Sequence, residues 1–424
     1  MRPVAALLLV LLCFGASPSP SADLSEAARR SDFAFFVSTF EDNYAYLERT
    51  EKPWTTWLSR YGPAVDAATT PQAYAAVFEA ALDELHDFHA EVRSRNPHRW
   101  LPVPTFADMW AEFESGKAVI VAVRRGSDAE RAGIVAGDIV TGVGGEPLDA
   151  AIAARLTPFV DNRDPKAREW ALLSLLAGRA DESRRITVAH RGGDVRTVTL
   201  PLLRQFDRSP GPLSATSIGA DVGVIRFNNS LGDQSTVAAF DAALDRLRAT
   251  RGLVLDLRDV PSGGDSSVAL GIMGRFTTAL LPYQRHRIPN YGQPDVERNW
   301  IELVAPRGPF TYRRPVVVLV DHWTGSMGEG MAIGFDAMGC AAVVGTPMAH
   351  LAGAVSDFTL PKTGIDVAFA DEQLFAVNGT PRQDWLPPTL IGSDADTQSD
   401  PILSAGLRLL DRAIASGGRG CPAG

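Results

Sequence analysis

Residues 316–330 read VVVLVDHWTGSMGEG. The five apolar residues Val316–Val320 predict a buried strand, and the run that begins at Met327 predicts a helix. Ser326 stands at the turn between them, directly after Gly325. A serine in this position lies beside backbone N–H groups and the positive end of a helix, where many α/β enzymes hold a nucleophile. Serine is also a common helix cap, and the segment alone is equally consistent with both roles.

Strands and helices alternate on both sides of this segment. Apolar strands are predicted at 222–227, 253–257, 316–320 and 341–344, with helices at 237–249, 266–276 and 327–338. Continuous apolar strands separated by amphipathic helices predict a sheet covered by helices, and hence an α/β core over residues 213–396. A functional site is then expected at the carboxyl ends of the strands.

A second glycine-containing turn follows the strand predicted at 253–257. It reads LDLRDVPSGGD from Leu255 to Asp265. Gly263 and Gly264 would let the backbone approach a ligand closely, and their N–H groups suit a developing oxyanion. The structural alternative is an ordinary strand-to-helix turn with a polar cap.

The parts of the chain outside the core have different sequence patterns. Arg2, the apolar run at 4–14 and the small residues after it are typical of a secretory leader. No later stretch has the roughly 20 apolar residues that a membrane-spanning helix needs. We therefore expect export to the periplasm or the medium. The predicted parts outside the core are a leader at 1–22, a helical region at 23–100, a small α/β module at 101–202, and a C-terminal helix and tail at 397–424.

The composition excludes several classes of partner and cofactor. The chain has 424 residues, 45% of them hydrophobic, and its net charge is −9. This is typical of a folded protein of two or three domains that repels nucleic acid and anionic membranes. After loss of the leader only Cys340 and Cys421 remain, which predicts neither a disulfide framework nor a zinc site. No metal or organic cofactor is implied.

A serine nucleophile needs a general base, and histidine is the commonest one. His89 stands out among the seven histidines because it ends a predicted helical segment beside Asp87 and precedes a strand-like stretch at 90–92. His350, in the loop after the strand that follows Ser326, is the reserve candidate. Most histidines are surface residues, so position alone assigns neither of them.

Five segments, in this order, resemble the secreted serine peptidases of the C-terminal processing and tricorn type, also called tail-specific proteases. The resemblance covers most of the mature chain. It implies a PDZ-like module at 101–202, a crotonase-like α/β core, and hydrolysis of peptide bonds in a peptide or protein substrate. The five segments are LHDFH at 85–89, the PDZ-like stretch GSDAERAGIVAGDIV at 126–140, DLRDVPSGG at 256–264, GSMGE at 325–329 and GTP at 345–347.

This family activates its serine in two ways, which differ in the base. In the processing proteases the base is a lysine beyond the serine, and the matching position here is Leu351, which cannot accept a proton. Lys362 is the only lysine after Ser326, and it lies in a predicted hairpin turn. The tricorn-like branch takes its base from the histidine before the PDZ domain. The resemblance therefore implies an acyl-enzyme on Ser326 with His89 as general base.

The resemblance also implies how the rest of the site is built. The oxyanion is expected at the N–H of Met327 and at that of Gly263 or Gly264. Asp384 lies where the family has an acidic residue near its closing segment. It is either the group that orients His89 or the cap of a turn.

The chain departs from the family pattern in two places. Phe88 stands where the tricorn pattern has a serine, so Asp87 and Glu329 are further candidates for orienting the base. The expected carboxylate-binding loop of the PDZ-like module, residues 106–110, contains no glycine. A catalytically silent binding protein with the same fold, or an esterase using the same serine, are the alternatives to a peptidase.

Overall fold

The computed structural model describes residues 24–49, 53–93, 96–190, 192–202, 211–219, 221–293, 296–392, 400–418 and 420–421. The predicted leader at 1–22 lies outside these ranges, as do residues 203–210, between the module predicted at 101–202 and the core predicted at 213–396. Within them, no helix combines the length and the apolar character needed to cross a membrane.

The N-terminal part is a bundle of helices packed through aromatic rings. Ser25 and Thr70 begin two of these helices by accepting hydrogen bonds from N–H groups of the first turn. Phe36 stacks on Trp57 with ring centroids 5.5 Å apart. The helices end at Asp83, earlier than the predicted boundary at 100. The elements are α1 (Glu26–Asn43), α2 (Trp57–Ala67), α3 (Pro71–Asp83) and the short strand β1 (Glu91–Val92).

The middle module, residues 109–200, is an antiparallel sheet closed by two helices. Its sheet has the order β2-β3-β4-β6-β7, with β5 added to β4. The elements are β2 (Met109–Glu114), β3 (Lys117–Val123), α4 (Asp128–Arg131), β4 (Ile139–Val143), β5 (Glu146–Pro147), α5 (Leu148–Arg155), α6 (Pro165–Ala177), β6 (Arg184–Ala189) and β7 (Val195–Leu200).

The core alternates strands and helices, and the strands predicted at 222–227 and 316–320 are confirmed to the residue. Its elements are β8 (Leu213–Ile218), β9 (Val222–Phe227), α7 (Ser235–Arg246), β10 (Gly252–Asp256), α8 (Ser266–Met273), β11 (Leu281–Ile288), β12 (Arg298–Val304), β13 (Val316–Val320), α9 (Met327–Ala337), β14 (Ala342–Gly345), β15 (Ala354–Thr359), β16 (Asp366–Phe375), β17 (Thr389–Leu390) and α10 (Pro401–Ala415).

The central sheet of the core has the order β17-β14-β13-β10-β9-β8. All its neighbours are parallel except β8 and β9. Every residue of β13 is buried, because Val316, Val318 and Val320 face α7, α8 and α9 while Val317 and Leu319 face α10. Burial of both faces explains why the strand reads as an unbroken apolar run.

A second, antiparallel sheet has the order β1-β16-β11-β12, with β15 also on β16. It contains the predicted turn at 361–364, between β15 and β16. The pairing of Glu91 with Ala368 and of Val92 with Val367 attaches the N-terminal part to this sheet. The sheet as a whole was not predicted, since its strands come from segments far apart in the chain.

Cys340 and Cys421 form a disulfide bond. This bond was not predicted from the sequence. Sequence spacing cannot reveal the pair, because the two cysteines lie 81 residues apart and only the fold brings the C-terminal tail back to the end of α9.

Candidate active site

Three loops meet at the carboxyl ends of the parallel strands. They follow β10, β13 and β14 and are joined by backbone hydrogen bonds. Gly325 N–H donates to the carbonyl of Val260 at 2.8 Å, and Ala349 N–H donates to that of Thr324 at 3.0 Å. These bonds give the loops fixed relative positions, so side chains placed on them are held rigidly.

Ser326 occupies the turn between β13 and α9 in a strained conformation. Its φ is 52° and its ψ is −113°, a region that residues other than glycine seldom adopt. Its N–H donates to Oε2 of Glu329 at 2.7 Å, as in a capping box. Its Oγ points toward the neighbouring loop, because a Cβ built on Gly263 would lie 3.8 Å from it.

The N–H groups expected to bind an oxyanion lie around this serine. Among the described residues, those of Met327, Gly263 and Gly264 donate no hydrogen bond to another protein group. At Gly264 a Cβ would approach Leu231 Cβ and Met327 Cβ to 2.8 Å. The close packing of the two loops therefore requires glycine at this position.

His89 lies between α3 and β1, with its ring against the loop that follows β14. Nδ1 is 2.7 Å from the carbonyl oxygen of Ala352. A carbonyl only accepts, so Nδ1 carries the proton and Nε2 is left as the acceptor. Burial and, to a smaller extent, the nearby guanidinium of Arg382 lower the pKa of His89 to about 3. The ring is therefore neutral at physiological pH.

Residues 351–353 connect the surroundings of His89 with those of Ser326. The backbone of Leu351 lies near the carboxylate of Glu329 and lowers its pKa, and the same carboxylate accepts the N–H of Ser326. The carbonyl of Ala352 accepts from His89. The side chains of Ser326 and His89 form no direct hydrogen bond with each other among the contacts of the described residues.

Leu351, the position at which the family resemblance calls for a lysine, is buried. Its Cδ1 would lie 3.2 Å from a Cβ built on Gly325, the residue before Ser326. An apolar side chain therefore fills the space beside the serine loop.

Two other carboxylates were predicted as candidates for orienting the base. Asp87 accepts the backbone N–H of His89 at 2.9 Å. Asp384 is exposed and makes no side-chain hydrogen bond to a described residue, so the structure does not bring it to His89. Asp384 ends a short 3-10 helix, Arg382–Asp384, and its role as orienting group stays a prediction.

Glu329 is 1% exposed, and burial raises its pKa. Its Oε1 has no hydrogen-bond partner among the described residues. It holds the backbone of the serine loop, and no contact with His89 is found among the described residues.

His350, the reserve base, is exposed and has φ 58°. Its Nδ1 lies 2.6 Å from the carbonyl oxygen of Gln383.

Arg382 is a site residue that no sequence pattern indicated. It is 2% exposed, and its guanidinium donates to the carbonyls of Leu351 and Gly353. These contacts span 31 and 29 positions in sequence, and no local motif reports them.

The middle module docks against the serine loop. Trp323 Nε1–H donates to the carbonyl of Ala107 at 2.6 Å, and His322 stacks on Trp110 with centroids 5.1 Å apart. Beside this contact a cavity of about 290 Å³ opens between the module and the core. The module thus forms one wall next to the candidate site.

Comparison with known proteins identifies a family that resembles the core. The family model of peptidase family S41 matches residues 221–383, which include Ser326 and both glycine-containing loops. A search of curated protein sequences found no match for the chain.

Solved structures extend the similarity to almost the whole chain. Mature CPAF complexed with lactacystin is 15% identical with a TM-score of 0.57, over 93% of this chain and 99% of that one. The photosystem II D1 C-terminal processing protease is 17% identical with a TM-score of 0.56, over 90% and 97%. These structures share its mixed α/β fold with N-terminal helices and antiparallel sheets. Through its core at residues 221–383, the chain is similar to the peptidases of family S41.

Proposed function

We propose that the chain is an exported serine peptidase that hydrolyses peptide bonds in peptide or protein substrates through an acyl-enzyme on Ser326. The observation that carries the proposal is the setting of Ser326. It has positive φ at the N-terminus of α9, its Oγ is directed toward Gly263, and three N–H groups around it have no protein partner among the described residues. Such donors stabilise a tetrahedral oxyanion.

His89 is the proposed general base. Nε2 takes the proton of Ser326 Oγ as the oxygen attacks the substrate carbonyl carbon. The oxyanion is held by the N–H of Met327 and by Gly263 or Gly264. The imidazolium then gives its proton to the leaving amine, and a water molecule hydrolyses the acyl-enzyme by the same route. Substrate binding must bring Oγ and Nε2 into hydrogen-bond distance, a tightening that catalytic pairs commonly undergo.

A base with a pKa of about 3 is free of protons at neutral pH but accepts one weakly. The negative charge of the tetrahedral intermediate compensates for this, because an opposite charge nearby favours the imidazolium. The proposal therefore requires the pKa of His89 to rise as the oxyanion forms.

The remaining architecture is proposed from the resemblance. We assign the middle module a PDZ-like fold and the core a crotonase-like fold. Because residues 106–110 lack glycine, the module is proposed to act as a lid or spacer rather than as a binder of peptide carboxylates. Its contacts through Trp110 and Ala107 to the serine loop support this role.

Export to the periplasm or the medium is proposed from the leader at 1–22. Cell fractionation combined with N-terminal sequencing of the mature chain tests it. Retention in the cytoplasm with an intact N-terminus would contradict it.

The test of the nucleophile is covalent labelling. A fluorophosphonate probe should label the wild type and Ser262→Ala but not Ser326→Ala. Ser262 is a matched control, because it lies in the neighbouring loop and its Oγ hydrogen-bonds to Asn229 Oδ1 at 2.8 Å. Equal labelling of Ser326→Ala and the wild type would remove Ser326 as the nucleophile. Matched peptide and ester substrates then distinguish a peptidase from an esterase.

A catalytically silent binding protein is the second candidate. It is favoured by the absence of a direct hydrogen bond between Ser326 and His89 among the described contacts, and by the low pKa of His89. No labelling of a folded wild type, together with retained peptide binding, would support it.

A further inference from the structure

Three successive backbone carbonyls, those of Leu351, Ala352 and Gly353, are all engaged by side chains from distant parts of the chain. The middle one accepts from Nδ1 of His89 at 2.7 Å. The outer two accept from Arg382: Leu351 O from Nε at 3.2 Å and from Nη2 at 2.9 Å, and Gly353 O from Nη2 at 2.5 Å. The guanidinium of Arg382 therefore binds the two backbone carbonyls on either side of the Ala352 carbonyl, which accepts from His89.

The segment has little freedom to move away from this position. Gly353 has φ +59°, and a Cβ there would lie 2.9 Å from Ala370 Cβ and 3.0 Å from Tyr46 Cε2. The planar fork of arginine, which keeps its charge, suits the task of fixing two acceptors at once.

The same segment reaches the nucleophile. The backbone of Leu351 lies near the carboxylate of Glu329 and lowers its pKa, and Oε2 of Glu329 accepts the N–H of Ser326 at 2.7 Å. A displacement of residues 351–353 would therefore be felt at both candidate catalytic side chains.

We propose that Arg382 is a positioning residue for the base. It fixes the carbonyl of Ala352 against Nδ1 of His89, so that the proton stays on Nδ1 and Nε2 faces the substrate as acceptor. A triad carboxylate performs this task in other serine hydrolases. Here the acceptor is a backbone carbonyl, and the side chain that holds it is a cation. The inference rests on the function proposed above.

The charges around His89 distinguish this arrangement from a triad in which a carboxylate orients the histidine. Arg382 and Arg93 both act on the ring as cations. Asp87, the nearest carboxylate in sequence, is bonded to the backbone N–H of His89 and to the hydroxyl of Tyr44. A carboxylate in the place of the carbonyl would raise the pKa of the histidine, whereas Arg382 lowers it.

Arg382→Met and Arg382→Lys separate geometry from charge. Methionine removes both the fork and the charge, whereas lysine keeps the charge and loses the fork. Arg29→Met is the matched control, because Arg29 is also a buried arginine that donates to backbone carbonyls, those of Leu24, Val65 and Asp66, in the N-terminal helices. Thermal unfolding identifies the folded variants.

The first readout is the NMR titration of His89 in histidine-labelled protein, with the resonance assigned by its loss in His89→Gln. In the wild type and Arg29→Met we expect a single tautomer with the proton on Nδ1. Arg382→Met should mix the tautomers and raise the pKa of His89 by about one unit. Arg382→Lys should mix them while the pKa stays low. A folded Arg382→Met with the wild-type tautomer and pKa would overturn the proposal.

The second readout is peptide hydrolysis. Arg382→Met should lower kcat/KM by about 10- to 100-fold and move its acid limb to higher pH, because the base now titrates higher. If Arg382→Met does not fold, a folded Arg382→Lys decides, and wild-type kcat/KM together with the wild-type tautomer in it would overturn the proposal. A wild type that hydrolyses nothing contradicts the proposed function alone, since the NMR readout still judges Arg382.

Discussion

The two sides of the candidate site are built in different ways. The nucleophile side is local: β13, the turn at Ser326 and α9 follow one another within residues 316–337. The base side is assembled from distant segments: His89 after α3, residues 351–353 after β14, and Arg382 after β16. The first side is held by a buried parallel sheet and the second by single contacts between loops. The comparison teaches that a nucleophile can be recognised from a short stretch, whereas its base depends on how the whole chain folds.

The base side also has the weaker backbone support. Strand β1 pairs with β16 through only two residues, Glu91 and Val92. Position and tautomer of His89 therefore depend strongly on its bond to Ala352. Four substitutions test this contrast, beginning with the one of largest expected effect.

His89→Ala should lower kcat/KM for peptide hydrolysis by about 10²- to 10⁴-fold, the usual contribution of a general base. Thermal unfolding should show a folded protein. The control is His350→Ala, which should leave kcat/KM unchanged within error. The base would have to be reassigned to the nucleophile side if His350→Ala caused the larger loss.

Gly353→Ala should reduce the free energy of unfolding by about 3 kcal/mol, because the new Cβ collides with packed atoms of Ala370 and Tyr46. Gly364→Ala is the control: it has a similar φ of +69° but open space around the Cβ, so only backbone strain of about 1 kcal/mol is expected. Urea unfolding measures both. Equal losses would show that the 351–353 segment can shift and is not a rigid support.

The pH dependence of the free energy of unfolding reports on buried histidines on both sides of the site. Burial lowers the pKa of His89 and of His322, four residues before Ser326, to about 3. Both stay neutral in the folded chain while the unfolded chain takes up protons below about pH 6.5. Each therefore stabilises the fold above pH 6.5, and this stability is lost as the pH falls toward 3, by up to about 1.4 kcal/mol per unit.

Asp321 changes stability with pH in the opposite direction, because burial raises its pKa to about 7. Its contribution to the free energy of unfolding grows as the pH falls below 7. The informative quantity is thus the difference between the wild type and His322→Phe, which keeps the stacking on Trp110. The wild type should lose stability more steeply than His322→Phe between pH 6.5 and 5 in urea unfolding. Parallel curves would mean that His322 is not buried in its neutral form.

Asp384→Asn should have the smallest effect, leaving kcat/KM and stability within about twofold and 0.5 kcal/mol of the wild type, as expected for an exposed side chain. Steady-state kinetics checks it. A large fall in kcat would place the carboxylate on the base side after all and displace the carbonyl of Ala352 from its orienting role.

Much of the fold was predictable because it depends on local patterns. The strands at 222–227 and 316–320 and the helix starting at Met327 follow from hydrophobic periodicity and turn residues. The antiparallel sheet of β1, β11, β12, β15 and β16 was not, since the pairings of β1 and of β11 with β16 join segments far apart in the chain. The disulfide between Cys340 and Cys421 was missed for the same reason.

The residues of the candidate site fall into the same two groups: those that local sequence patterns predict, and those that only the fold brings together. Ser326, Gly263 and Gly264 lie on turns that directly follow predicted strands, so their approach to one another follows from the parallel sheet. The sequence did not indicate the contacts of Arg382 or of the Ala352 carbonyl. Every residue has a backbone carbonyl, and a sequence pattern does not distinguish a buried arginine from an exposed one. Asp384 was a candidate from its position alone, and its role as orienting group stays a prediction.

The order of residues was enough to establish an α/β core with a serine at the end of a buried strand, because apolar runs and glycine turns act over a few positions. Folding alone decided which groups surround that serine and the histidine at position 89, because hydrogen bonds and burial bring together atoms that the chain keeps far apart. In our proposal, a backbone carbonyl held by a buried guanidinium takes a place for which the sequence suggested a carboxylate.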